Sequence, residues 1–154
     1  MLNIIVTGGL GYIGSHTVIK LIESGYNPII FDDLSNTSII NKQKIEKITN
    51  TKVKFHQIDI SKDTIFDIMM KEYKNDTIDG IIHLAASKYI NESIHEPLKY
   101  YRNNINGILN ILDIMNRFNI KNLIFSSSAT VYSGNNIKLP IALGKSISGN
   151  PIVG

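Results

Sequence analysis

The sequence predicts an α/β protein built on a doubly wound parallel sheet of about five strands in the order 3-2-1-4-5, incomplete at one edge. Two observations predict it. Apolar runs rich in β-branched residues alternate along the chain with longer segments whose apolar residues recur at helical spacing. The strand runs are also apolar at every position rather than every second one, as in parallel sheets covered on both faces, and the intervals between them suit crossover helices.

Leu2 to Thr7 is the first such run and ends in Gly8-Gly9, so it reads as a buried strand feeding directly into a helix. From Tyr12 the positions Ile13, Val18, Leu21 and Ile22 fall on one helical face until Gly25, a residue suited to a left-handed C-terminal cap. Pro28 to Phe31 is the second strand, residues 39–48 a second helix, and Val53 to Ile58 a third strand. A helix is predicted from the cap candidate Ser61 to Tyr73, and a fourth strand from Ile78 to Leu84. Pro97 opens a long helix running to about Phe118, and Asn122 to Ser126 is the fifth strand. Beyond Val131, glycine, proline and asparagine are spread through the remaining residues. The division expected is therefore a domain over residues 1–132 and a loop-rich tail over 133–154, with the chain reading as interrupted just past its fifth strand.

At 154 residues the chain suits one core, and 43% hydrophobic with 19% charged residues excludes disorder as a whole. The absence of cysteine excludes disulfides, thiol chemistry and thiolate metal sites and suits a reducing compartment. No basic leader, cleavage site or long apolar run follows Met1, so a cytoplasmic protein without membrane contact is expected. A net charge of +3 is too small and scattered to argue for nucleic acid. The cluster Lys42, Lys44, Lys47, Lys52 and Lys54 has few acids beside it in sequence and no aromatic row, so it reads as a solvated face. His16, His56, His83 and His95 lack metal-ligand spacing, and no metal is expected.

The chemistry begins at Gly8-Gly9-Leu10-Gly11-Tyr12-Ile13-Gly14, which follows the first strand and opens the first helix. A G-x-x-G-x-x-G turn in that place lets backbone approach a pyrophosphate and points helix N-terminal amides at the anion, with Gly8, Gly11 and Gly14 as the close-approach positions. Asp32 follows Gly14 by 18 residues at the end of the second strand, where a carboxylate can accept from an adenosine ribose. The pairing points to a Rossmann-like dinucleotide site and favours NAD over NADP, because Asp32 and Asp33 repel a 2′-phosphate and no Arg lies near in sequence. Asp59-Ile60 ends the third strand, where a carboxylate can accept from an adenine amino group and an apolar side chain can flank the ring; capping the next helix is the competing role of Asp59. Leu84-Ala85-Ala86-Ser87-Lys88 leaves the fourth strand with small residues near the topological switch, and Lys88 can reach a phosphate or sugar. At the fifth strand's end the hydroxyls of Ser126, Ser127 and Ser128 stand where one could bind a substrate hydroxyl and share its proton.

Together VTGGLGYIGSHTV, FDDLSN, LAASKYINES, EPLKYYRNNINGILNIL and IFSSSATVY resemble the extended short-chain dehydrogenase/reductase family and, within it, the UDP-glucose 4-epimerases, over residues 1 to about 140. The last three segments separate these from related sugar-nucleotide dehydratases. The resemblance implies NAD held by Tyr12, Ile13, Asp32, Asp33, Leu34, Ser35, Asn36, Thr37, Asp59, Ile60, Leu84, Ala85, Ala86, Ser87, Lys88, Asn103 and Ser128, with Ser128 at the position of the family's catalytic serine. It also implies a UDP-sugar substrate, a 4-keto sugar intermediate and, in the full-length family, a possible homodimer. The family's proton shuttle is a tyrosine followed four residues later by lysine, and none of the seven tyrosines here has that partner. The expectation is an NAD-binding part of such an isomerase that is inactive by itself. A non-catalytic NAD-binding module and a sugar-nucleotide dehydratase or reductase of the same superfamily remain open beside it.

Overall fold

A computed structural model describes residues 1–127; Ser128 and the expected tail over 133–154 lie outside the described residues. Five parallel strands form one sheet in the order β3-β2-β1-β4-β5, as expected from the sequence. They are β1 (Asn3–Thr7), β2 (Asn27–Asp32), β3 (Lys54–Gln57), β4 (Gly80–His83) and β5 (Leu123–Phe125). The helices between them are α1 (Tyr12–Glu23), α2 (Ile39–Thr49), α3 (Thr64–Glu72), α4 (Ile90–His95) and α5 (Pro97–Arg117). In β1 successive side chains enter opposite layers: Ile5 joins Phe31, Ile65, Met69, Ile111 and Ile114 under α3 and α5, while Val6 joins Val18, Ile30 and Ile45 under α1 and α2. That double covering explains why the strand runs are apolar throughout. Register pairs Thr7 with Phe31 on one side and with His83 on the other, so the ends of β2, β1 and β4 come level at one edge of the sheet.

Two local expectations are corrected. Ser61 does not cap α3: Asp59 Oδ1 accepts from Ser61 N at 2.9 Å and Ser61 Oγ at 2.6 Å, closing a turn, and the helix begins at Thr64 behind Asp63. The short helix α4 has no counterpart in the sequence reading, because it buries no residue and so leaves no apolar period. The lysine cluster is a solvated face, with Lys44, Lys47, Lys52 and Lys54 exposed, and it carries ion pairs: Glu46 binds Lys42 at 2.6 Å and Lys52 at 3.4 Å, and Lys54 reaches Glu72 at 3.1 Å. The bond from Lys42, then that from the Val53 amide, holds the Glu46 carboxyl down at about 2. A carboxyl pKa lowered on folding contributes stability above its ordinary range near 4.5, and that contribution is withdrawn as pH falls toward about 2.

Gly25 has φ +81° just past α1, the left-handed position expected of it. At the other limit of the sheet, Ile124 and Phe125 of β5 are exposed, so the edge expected to lack a neighbour is apolar as well as unpaired among the described residues.

Candidate functional site

The turn after β1 is shaped by contacts that only glycine permits. Gly8 has φ +67°, and a Cβ there would meet Ala85 N at 2.9 Å, so the backbones leaving β1 and β4 touch. Gly14 lies in the first turn of α1, and its Cβ would fall 2.1 Å from Gly8 O. The turn is thereby folded flat against the helix that follows it. Gly11 stands at the N-cap of α1 with no side-chain cap, and no acidic residue occupies the first turn. The helix thus presents its N-terminal amides and positive dipole end with no anion of its own to meet them. Tyr12 and Ile13 are exposed beside that opening.

Asp32 ends β2 and is 6% exposed. Its Oδ2 accepts from Leu10 N at 3.0 Å, and its Oδ1 accepts from Leu34 N at 3.0 Å and Thr37 Oγ1 at 2.8 Å. The carboxylate therefore ties the glycine turn to the β2–α2 loop, a structural duty invisible in the sequence. Oδ1 is filled, and Oδ2 keeps room for one further donor. The loop itself turns at Leu34, φ +63°, and at Asp33, whose Oδ1 takes Ser35 N and Oγ at 2.9 and 2.7 Å. Asn41 of α2 closes the arrangement by donating to Leu10 O at 2.9 Å.

After β4 the chain leaves the sheet, and residues 84–89 are held by side chains instead. Thr7 Oγ1 accepts from Leu84 N at 3.2 Å and Ala85 N at 3.3 Å, and lies 2.7 Å from His83 Nδ1. With two amides on the oxygen, the Thr7 hydroxyl donates to Nδ1 and the ring proton sits on Nε2. Burial pushes the His83 pKa down, and the ring stacks on Phe125 with centroids 5.6 Å apart, which makes it a neutral structural histidine. Further along, Asn104 of α5 accepts from Ser87 N at 2.8 Å and donates to Ser87 O at 3.0 Å. Tyr100 Oη accepts from Tyr89 N at 3.1 Å and donates to Glu92 Oε2 at 2.6 Å, which fastens α4 to α5.

These parts enclose a cleft of about 280 Å³ along the carboxyl edge of the sheet. Of the predicted cofactor residues, Gly8, Gly11, Tyr12, Asp32, Asp33, Ser35, Asn36, Thr37, Ile60, Leu84, Ala85, Ala86, Ser87, Lys88 and Asn103 line it. Asp59 lines a broader adjoining groove of about 760 Å³, in which Asp33, Ser35, Asn36, Ser87 and Asn103 recur. Gly14 is buried beneath the turn, whereas Ile13 and Leu34 flank the cleft in sequence without lining it. Phe31, Ile58 and Tyr89 line the cleft too and were missed. Lys62 and Arg102 line the broader groove with Asp33, so cations absent from the neighbourhood in sequence are brought there in space by the β3–α3 loop and α5. No cluster of metal-ligating side chains occurs among the described residues, and no helix among them is long and apolar enough to cross a membrane.

Comparison with known proteins accords with this geometry. The family described as GDP-mannose 4,6 dehydratase matches residues 5–142. UDP-glucose 4-epimerase of Dictyostelium discoideum is 48% identical over 130 residues, covering 84% of this chain and 37% of that protein. The Schizosaccharomyces pombe epimerase is 45% identical over 84% of this chain and 36% of its own length. The crystal structure of the Stenotrophomonas maltophila UDP-glucose 4-epimerase with bound NAD and formylated UDP-arabinopyranose superposes with TM-score 0.82 at 39% identity, covering 94% of this chain and 42% of that one. The Bifidobacterium longum enzyme in complex with NAD+ and UDP gives TM-score 0.82 at 37% identity, covering 92% and 41%. The chain spans well under half the length of these relatives. With a dehydrogenase-type sheet, a glycine turn under an uncapped helix and this level of identity, the chain belongs to the GDP-mannose 4,6 dehydratase family and is a homologue of the UDP-glucose 4-epimerases within it.

Proposed function

We propose that this chain binds NAD along the cleft at the carboxyl edge of its sheet and supplies the cofactor-binding part of an enzyme that interconverts UDP-glucose and UDP-galactose. The observation that carries the reading is the convergence on one cleft of the glycine turn, the uncapped N-terminus of α1 and the Asp32 carboxylate. The residues fit the dinucleotide: Gly8 and Gly14 let the turn pack on the β4 backbone and on α1, so that the uncapped N-terminus of α1 opens where a pyrophosphate would approach, and Asp32 Oδ2 retains acceptor capacity for one ribose hydroxyl. When bound, NAD supplies the acceptor that takes hydride from C4 of the sugar and returns it to the opposite face. The chain's own residues bind and orient: α1 faces the pyrophosphate, Asp32 the adenosine ribose, Asp59 and Ile60 the adenine, and Lys88 the other nucleoside half across the switch point.

The segments LAASKYINES and IFSSSATVY support an epimerase over a dehydratase, as does similarity to several UDP-glucose 4-epimerases. A non-catalytic NAD-binding module has one specific observation in its favour, since no tyrosine of the chain is followed four residues later by lysine. A chain without cysteine suits the cytoplasm.

Calorimetric titration of NAD and NADP tests the cofactor reading. NAD should bind about 10-fold more tightly, because Asp32 and Asp33 repel a 2′-phosphate more than Lys62 and Arg102 of the adjoining groove attract it. Asp32→Ala should bring the two affinities toward parity, with melting followed in parallel because Asp32 also secures Leu10 and Thr37. Equal binding by the unaltered chain, or NAD preference undiminished in the variant, removes the assignment.

Helix α5 supports a homodimer as partner. One of its faces buries Tyr100, Gly107, Ile111 and Ile114, while Leu98, Tyr101, Ile105, Leu109 and Leu112 lie exposed on another at helical spacing. Such a stripe suits a second copy of the same helix. Sedimentation should show a dimer that Tyr101→Glu and Ile105→Glu together convert to monomer; an unaltered monomer at high micromolar concentration speaks against it.

A further inference from the structure

We infer that Asn104, resting on the NAD reading above, is a positioning residue that fixes the backbone at Ser87 and so delivers Lys88 into the cofactor cleft. The segment between β4 and α4 needs such a device. Beyond His83 it has left the strand ladder, and the bond from Leu84 N to Thr7 O is the last backbone-to-backbone tie to β1. Thr7 Oγ1 secures Leu84 and Ala85, and Tyr100 Oη secures Tyr89. Between these two anchors the side-chain amide of Asn104 engages both polar groups of one peptide residue, accepting from Ser87 N and donating to Ser87 O. No shorter or aliphatic side chain can do both, and a carboxylate can accept but not donate.

The clamp is itself held. Asn103 Nδ2 donates to Asn104 Oδ1 at 2.9 Å, so the oxygen receives two donors and the amide's orientation is set. Tyr100, one helical turn earlier on the same face of α5, is buried, and Gly107 on the following turn packs its Cα near Ile60, which keeps α5 at fixed height over the sheet. Lys88, the next residue but one from Ala86, is exposed yet lines the inner cleft, while Ser87 lines both that cleft and the outer groove. Fixing the Ser87 peptide therefore sets the direction from which Lys88 leaves the backbone. The family resemblance singles out Asn103 for the cofactor, and nothing in the sequence gives its neighbour Asn104 a role of its own.

The test is a double-mutant cycle on the full chain, read as NAD affinity by calorimetry. Asn104→Leu fills the space without either bond and should weaken NAD about 10-fold, as should Lys88→Ala. If Asn104 acts through Lys88, the double variant should also lose about 10-fold rather than about 100-fold. Amide hydrogen exchange should accelerate at Ser87 in Asn104→Leu while the amides of α5 keep their protection. Asn104→Asp, which keeps the acceptor for Ser87 N, should fall between and covers the case in which the leucine variant does not fold. Multiplicative losses, undiminished NAD affinity in Asn104→Leu, or Lys88→Ala without effect overturn the inference. An unaltered chain that binds no NAD overturns the proposed function instead, and the Ser87 exchange result still reports whether the clamp exists.

Discussion

Gly14→Ala should abolish measurable NAD binding and lower the melting temperature by roughly 5–10 °C, the largest effect expected of any single methyl group in this chain. The added carbon would stand 2.1 Å from Gly8 O and 2.8 Å from Gly9 Cα, both backbone atoms that cannot swing aside. Either the glycine turn lifts or α1 retreats. Retreat is opposed by Val18, wholly buried with Leu10 and Ile30 under the sheet, so the strain falls largely on the turn. Lifting the turn pulls Leu10 N from Asp32 Oδ2 and moves the backbone that a pyrophosphate would meet, so stability and binding are lost together. Overpacking of this kind costs about 1–3 kcal/mol or more. Gly25→Ala is the control: φ +81° strains an alanine, but no atom lies within 4 Å and the cleft is remote, so NAD affinity should be unchanged. Thermal melts and calorimetry of both variants decide it, and a Gly14→Ala chain that binds NAD normally would show that the turn tolerates what its geometry forbids.

What could be read from the sequence was what depends on neighbours along the chain. The turn from Gly8 to Gly14, the strand before it and the helix after it are contiguous, and Asp32 lies one crossover away at a strand end, so spacing alone places them together. The double covering of the sheet also followed, because apolar runs without alternation suit a sheet with helices on both faces. Illegible were the ties between elements remote in sequence. Thr7 meets His83 across 76 residues, and the second duties of Asp32 and Asn104 are to backbone groups, which carry no sequence signal. Counting charges did not show that Glu46 joins Lys42 on its own helix with Lys52 beyond it and accepts from the Val53 amide. Helix α4 escaped because it is held by Glu92, Lys99 and Tyr100 rather than by an apolar face. In each case a polar side chain makes a bond that apolar periodicity cannot reveal.

The purified 154-residue chain, given NAD and UDP-galactose, should form no UDP-glucose above background. Removing hydride from C4 of the sugar requires a group to take the proton of the C4 hydroxyl, and a tyrosine can do so near neutral pH only if a neighbouring cation lowers its pKa. None of the seven tyrosines has a lysine four residues later. Among the described residues, the two whose pKa departs from the ordinary value move the wrong way: burial raises Tyr73, and burial together with the bond to Glu92 raises Tyr100. His83 is no substitute, because it is buried, burial lowers its pKa and weakens it as a base, and its Nδ1 is engaged by Thr7. Lack of a positioned acid–base group costs about 10²–10⁴ in rate. A sugar not held in orientation over the cofactor adds a further loss on the order of several kcal/mol. A coupled assay for UDP-glucose tests the outcome, with Asp32→Ala run beside it to expose a contaminating host enzyme. Turnover that survives purification and disappears in Asp32→Ala would mean that the chain carries a base of its own, and Tyr132 and Lys145, outside the described residues, would be the first side chains to replace.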